Sequence, residues 1–174
     1  MKKQIFLVGY RATGKTTIGK ELANILGWEF IDTDKEIERY TSKSIKEIFE
    51  TKGEKAFREI ESEVLKKLTE QEEVVFSTGG GIILYESNRN IIKQGIVILL
   101  ECEIETIVSR MKKDQNRPPL TNLTLEEEIK KTLSERKKFY EEVANIKIVN
   151  ENIPPKTVAL LIKNLIPINN KNTS

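Results

Sequence analysis

The 174-residue chain has no histidine, one cysteine and one tryptophan, and aromatic residues make up only 6% of it. Without an imidazole, every histidine-dependent triad or dyad is excluded, so general-base work falls to a carboxylate or is little needed. Cys102 has no intramolecular disulfide partner and, without histidine, no way to complete a zinc site. No apolar run approaches the ~20 residues of a membrane-spanning helix. The longest, Ile96 to Leu100, has the length of a buried strand. Gly14 and Lys15 interrupt the N-terminal apolar stretch almost at once, so no signal peptide is expected. A dominant charge is missing too: 29 Lys and Arg face 27 Asp and Glu, for a net charge of +2 and a pI of about 8.5. Nucleic-acid binding would call for a basic stripe and a pI above ~9. The expectation is a cytoplasmic protein with neither nucleic acid nor membrane as partner.

Arginine is scarce as well. Only positions 11, 39, 58, 89, 110, 117 and 136 carry it, against twenty-two lysines. A chain that usually chooses lysine reserves arginine for places that need a planar, bidentate anion clamp.

What is present is an alternation of short strands and helices. Strands are expected at 4–8, 29–32, 74–76, 96–100 and 146–149, with helices at 15–26, around 87–93, at 104–112, 124–143 and 155–165. The stretch 34–68 reads as helix in pieces, broken near Thr41-Ser42 and at Gly53. Thr124 is a plausible N-cap with Glu127 at the capping-box position. Strands apolar on both faces point to an α/β protein: a three-layer α/β/α fold around a five-stranded parallel sheet. A chain of this length makes one domain, here 1–168, followed by a polar tail at 169–174. In such folds ligands bind beyond the carboxyl ends of the strands, where the loops 9–16, 32–34 and 77–81 converge.

The first of those loops, Gly9-Tyr10-Arg11-Ala12-Thr13-Gly14-Lys15-Thr16, satisfies G-x-x-x-x-G-K-S/T between a strand and a helix. Its N–H groups and the helix N-terminus suit phosphate oxygens, Lys15 the β- and γ-phosphates, and the Thr16 hydroxyl a Mg²⁺ ion. No G-x-G-x-x-G dinucleotide fingerprint follows the strand. A nucleoside triphosphate is therefore the expected ligand. Asp32-Thr33-Asp34 closes the second strand. If extended, it sends both carboxylates to one side, and the alternative is a helix N-cap at Asp34. Gly79-Gly80-Gly81 allows bare backbone to approach a ligand. Taken alone, Arg58 fits an ordinary ion pair with Glu61 or Glu54, Arg136 a solvated helix charge, and Arg117 a loop charge.

Together, the phosphate loop, Asp32/Asp34, Phe57-Arg58, the triple glycine, Arg117-Pro118-Pro119-Leu120 and Arg136 form an ordered set that closely resembles the shikimate kinases, small P-loop kinases of the nucleoside-monophosphate-kinase-like class. The resemblance covers roughly residues 4 to 160. It implies transfer of the γ-phosphate of ATP, with Mg²⁺, to the 3-hydroxyl of shikimate, on a monomer with a substrate-binding segment near 33–61 and a lid near 113–123. By position, Asp34 would hold the reacting hydroxyls, and Asp32 would support Mg²⁺ through water. Arg58 and Arg136 would clamp the carboxylate, with Gly79, Gly80 and Gly81 offering backbone. Phe49 and Phe57 would form apolar walls. Gly9, Arg11, Ala12, Thr13, Gly14, Lys15, Thr16 and Thr17 would cradle the nucleotide phosphates. Arg110 and Pro155 would flank adenine, and Arg117 would close over the phosphates. Lys15, Asp34 and Arg117 would be the catalytic set.

The chain departs from the family at Ala12, where such kinases often have glycine. An alanine is tolerable there if its φ is negative. Rival readings are a gluconate kinase of the same architecture, a nucleotide-dependent switch, and a non-catalytic binding module. The switch would need an N-K-x-D element, which Asn88-Arg89-Asn90 does not supply.

Overall fold

The computed structural model describes residues 2–113 and 124–167. Its spine is a parallel sheet in the order β2-β3-β1-β4-β5. The strands are β1 (Gln4–Val8), β2 (Glu29–Asp32), β3 (Val74–Ser77), β4 (Ile96–Glu101) and β5 (Ile146–Val149). The helices are α1 (Lys15–Leu26), α2 (Thr33–Thr41), α3 (Ile45–Leu68), α4 (Glu86–Ile92), α5 (Ile104–Lys113), α6 (Leu125–Val143) and α7 (Pro155–Leu165).

Period-two alternation divides each inner strand between two cores. Ile5 and Leu7 face the cluster under α1 and α7, which also takes Val75, Ile96, Ile98 and Leu100. Phe6 and Val8 face the larger cluster under α2, α3, α4 and α6, with Phe76, Val97 and Leu99. Phe6 and Phe76, directly opposite in the ladder, stack with ring centroids 4.8 Å apart. Strands apolar on both faces are found only in the middle of the sheet. At the edges, Glu29 of β2 and Val149 of β5 are exposed, because an edge strand has one neighbour and incomplete cover.

Local signals set most boundaries. α1 ends at Gly27, left-handed at φ 70. α3 starts with a Ser44/Glu47 capping box and is interrupted at Gly53, whose φ of 78 and ψ of 174 are not helical. α6 carries the Thr124/Glu127 capping box expected of it. A 3₁₀ turn at Ile82–Leu84, not foreseen, follows the triple glycine. No helix among the described residues is long and apolar enough to cross a membrane.

Candidate active site

The phosphate loop joins β1 to α1, and α1 has no side-chain cap. Its first N–H groups and the positive end of its dipole are therefore left to an anion. Gly14 at the N-cap has φ 95, and a Cβ there would lie 2.9 Å from Asn150 Nδ2, so the position demands glycine on both counts. Lys15 is buried, and its Nζ donates to the carbonyls of Gly9 at 2.9 Å and Tyr10 at 2.7 Å, which stretches the ammonium across the loop. Thr13 anchors the turn by donating Oγ1 to the Tyr10 carbonyl at 2.8 Å. Thr17 is exposed and donates to the Gly14 carbonyl.

Ala12 does not meet the condition set for it, and Arg11 has a partner that the sequence did not show. Ala12 has φ 63, in the left-handed region, so the condition of negative φ is not met. An L-residue with a Cβ pays roughly 1 kcal/mol or more there because Cβ crowds the following carbonyl. Arg11 lines the cavity that also takes in Lys15 and Asp32, but its charged end is held by protein groups. Its guanidinium pairs with buried Glu128 of α6 and lies over the Tyr10 ring, which itself packs between α5 and α6.

The Asp32-Thr33-Asp34 stretch is not extended throughout. Asp32 is the N-cap of α2 and its Oδ1 accepts from the Asp34 N–H at 3.2 Å, so Asp34 lies in the first helical turn. The cap falls at Asp32 rather than Asp34 because the strand's last carboxylate reaches the helix's unpaired N–H groups. Asp32 Oδ2 also accepts from Thr16 Oγ1 at 3.0 Å, and Ser77 Oγ is 3.2 Å from the same hydroxyl. These hard oxygen donors suit Mg²⁺, which takes one or two protein oxygens beside phosphate and water. Among the described residues no group of three or more carboxylates or thiols is gathered for a metal.

The triple glycine after β3 is where the acceptor side converges. Gly79 N–H donates to Thr33 Oγ1, and Thr78 donates to the Leu7 carbonyl, which pins the loop against α2 and β1. A Cβ on Gly79 would lie 2.6 Å from Asp34 Oδ1, and one on Gly81 would lie 2.4 Å from both Arg58 Nη atoms. Bare backbone at these two positions lets the Asp34 carboxylate and the Arg58 guanidinium lie directly against the loop. Arg136 Nη1 and Tyr140 Oη, both from α6, donate to the Gly80 carbonyl at 3.1 and 2.6 Å. Burial raises the Tyr140 hydroxyl pKa to about 12, so it stays a donor.

Arg58 pairs with Glu61 at 2.8 Å and with Glu54 at 3.4 Å, as the ordinary ion-pair reading had it. It does so while lying against Gly81, so that pairing and the approach to the triple glycine coexist. Phe49 and Phe57 pack with centroids 4.7 Å apart and their rings tilted by 35° at the larger core, and the Arg58 guanidinium sits over the Phe57 ring. They form a floor beneath Arg58 rather than part of the cavity lining.

Two adjoining cavities meet at the phosphate loop. One, of about 500 Å³, takes in Lys15, Asp32, Asp34, Ser77, Gly79 and Gly80. The other, of about 580 Å³, runs past Thr17, Asn150 and Pro155. Arg110 and Ala12 line both. Arg117 lies outside the described residues, as does the 113–123 lid apart from the backbone of Lys113.

Sequence reasoning missed Tyr140, Asn150 and Ser77, and saw Glu61 only as a partner for Arg58. The i+3 spacing of Glu61 from a candidate clamp arginine was the available signal. Asn150 follows a strand with no motif around it.

Glu61 is 1% exposed, and burial raises its carboxyl pKa against the opposing pull of Arg58. A carboxyl with a raised folded pKa favours the fold while protonated. That contribution is complete below the unfolded value of ~4.3 and is lost as pH climbs through the folded value. The thermal midpoint of the wild type should therefore fall more steeply over this window than that of Glu61→Gln. Equal slopes in melts from pH 4 to 8 would show that Glu61 does not titrate there.

Residues 11–167 match the family described as "Shikimate kinase". The chain is 41% identical over 167 residues to a shikimate kinase of Buchnera aphidicola subsp. Schizaphis graminum, covering 95% of this chain and 96% of that one. It is 42% identical to one of Histophilus somni over 167 residues, 95% of each. The solved shikimate kinase of Acinetobacter baumannii in complex with shikimate superposes with a TM-score of 0.89 at 40% identity, over 95% of this chain and 93% of that one. With the family matched over nearly the whole chain in both sequence and structure, this chain belongs to the shikimate kinase family and is a small-molecule kinase.

Proposed function

We propose that the chain transfers the γ-phosphoryl group of ATP to the 3-hydroxyl of shikimate, giving shikimate 3-phosphate and ADP on the route to chorismate and the aromatic amino acids. The observation that carries this reading is one cavity in which Lys15 and Asp34 face the triple-glycine backbone that Arg58 and Arg136 lie against.

In the transfer, the shikimate oxygen bonds to the γ-phosphorus as the bond to the β,γ-bridging oxygen breaks; ADP leaves with that electron pair, and the hydroxyl proton is released to solvent by way of its hydrogen bond to Asp34. The transition state holds its charge on the equatorial oxygens, so the protein's work is positioning and neutralisation. Lys15 supplies a fixed ammonium at the β- and γ-phosphates. Asp34 accepts a hydrogen bond from the attacking hydroxyl and aims its oxygen. Arg58 and Arg136 fix the substrate carboxylate, and Gly79, Gly80 and Gly81 leave room for the ring. Thr16 and Asp32 would hold Mg²⁺, which would supply charge neutralisation at the phosphates.

Gly9, Arg11, Ala12, Thr13, Gly14 and Thr17 complete the phosphate side, with Arg110 and Pro155 flanking adenine. Arg117, outside the described residues, is the further cation we assign to the phosphates by the family resemblance. We further propose one kinase domain over 1–168, acting as a cytoplasmic monomer without nucleic-acid or membrane partners.

The test is ADP release by purified protein with ATP, Mg²⁺ and shikimate, using gluconate and no acceptor as controls. Turnover with shikimate alone supports the reading. ADP formed only with another acceptor overturns it. In the same assay Arg58→Lys and Arg136→Lys should each raise the shikimate KM about ten-fold or more, since lysine lacks the bidentate fork. An unchanged shikimate KM in both variants removes the clamp.

A further inference from the structure

Two side-chain nitrogen donors grip the phosphate loop from outside it, and Cys102 Sγ approaches the Thr13 carbonyl more distantly at 4.0 Å. Arg110 Nη1, on α5, donates to the Ala12 carbonyl at 3.1 Å. Asn150 Nδ2, one residue beyond β5, donates to the Thr13 carbonyl at 3.0 Å. The donors are tied together: Arg110 Nη2 and Cys102 Sγ both donate to the Asn150 carbonyl, at 3.2 and 3.1 Å. Asn150 is also fixed through its own N–H, which donates to the Glu101 carbonyl at the end of β4. It is 4% exposed, so its side chain has no other place to go.

The gripped carbonyls belong to and follow Ala12, the one non-glycine residue of the 9–14 loop held at positive φ. An alanine does not choose that conformation, so its surroundings must over-determine it. In a trans peptide the carbonyl and the next N–H point in opposite directions. Holding the Ala12 and Thr13 carbonyls outward therefore turns the N–H groups of Thr13 and Gly14 inward, toward where phosphate oxygens bind.

We propose that Arg110 and Asn150 are positioning residues that keep this alanine-bearing phosphate loop in its anion-binding shape before a nucleotide arrives. The inference rests on reading residues 9–16 as the nucleotide's phosphate loop. It gives Arg110 a task independent of any adenine, and it gives Asn150 one that involves no contact with ligand. The strained alanine and the two outside donors work as a pair. A loop with glycine at position 12 would need less holding.

The experiment is calorimetric titration with magnesium tripolyphosphate, which has neither base nor ribose, and with MgADP. Asn150→Ala removes a neutral donor and so leaves the site's charge alone. It should weaken both ligands about five-fold, the ratio that a left-handed alanine's strain corresponds to. In the Ala12→Gly background the same change should cost less than two-fold. Equal losses in the two backgrounds, or no loss in either, overturn the inference. So does a loss confined to MgADP, which would make Asn150 a reader of the nucleoside. If Asn150→Ala does not fold, Arg110→Met replaces it in the same comparison. Losing that charge weakens tripolyphosphate in both backgrounds, so only the difference between backgrounds counts. A wild-type chain that binds neither ligand would overturn the phosphate-loop reading itself.

Discussion

Asp34→Asn is expected to lower kcat by ~10²–10⁴-fold, the range over which a positioned acid–base group contributes, while ATP affinity stays within about two-fold. Asparagine keeps the size and the place in the first turn of α2, where the Asp34 N–H is held by the Asp32 cap. What it loses is the charge. The carboxylate sits in the first turn of α2, at the positive end of the helix dipole, and it faces the bare backbone of Gly79. An amide there presents a neutral oxygen, or an N–H aimed at the hydroxyl it should accept from. The shikimate KM should move far less than kcat, because Arg58 and Arg136 carry the binding. A variant retaining more than a tenth of wild-type kcat, with an unchanged melting midpoint, would take Asp34 out of the reacting centre.

How legible this site was in the sequence depended on the range of the interactions that build it. The β1–loop–α1 unit is set by neighbours: an apolar run, glycines at the turns, and helical spacing after Lys15. Its boundaries were readable, as were the Gly27 stop and the Thr124/Glu127 box. The sheet order was not readable, since β1 sits between β3 and β4 for reasons that lie in packing seventy and more residues away. The same holds for side chains. Arg58–Glu61 could be guessed from spacing on one helix. Asn150 reaching Thr13 and Tyr140 reaching Gly80 span 137 and 60 residues, and no local pattern announces either.

Two local readings failed for physical reasons of their own. Alternation put Asp32 and Asp34 on one side only if the chain stayed extended. The unpaired N–H groups of α2 competed for the Asp32 carboxylate and won, which began the helix one residue sooner. The sign of φ at Ala12 follows from the loop's need to turn its N–H groups inward, a global demand that alanine's own preference opposes. Arg11 shows the same limit. Its partner Glu128 is 117 residues away in sequence, and the packing of Tyr10 between α5 and α6 brings the two together.

Lys15→Met should abolish most of the activity, with kcat down by roughly 10²–10³-fold or more, the cost of removing one preorganised donor from a charge-stabilising site. Methionine has nearly the length of lysine and fills the same buried channel, so the packing around α1 survives. The ammonium does not. In the structure it spans the carbonyls of Gly9 and Tyr10, which holds it in the loop with its charge already paid for in desolvation. A γ-phosphoryl group in flight carries charge that no other buried lysine is placed to meet among the described residues. The methionine variant also leaves two carbonyls without that donor, so its melting midpoint should drop by a few degrees, and nucleotide affinity should weaken with it. The discriminating quantity is kcat at saturating ATP and shikimate. A loss confined to the ATP KM would mean that Lys15 only binds the nucleotide. A fall in kcat that saturation cannot restore places the ammonium where charge develops during transfer.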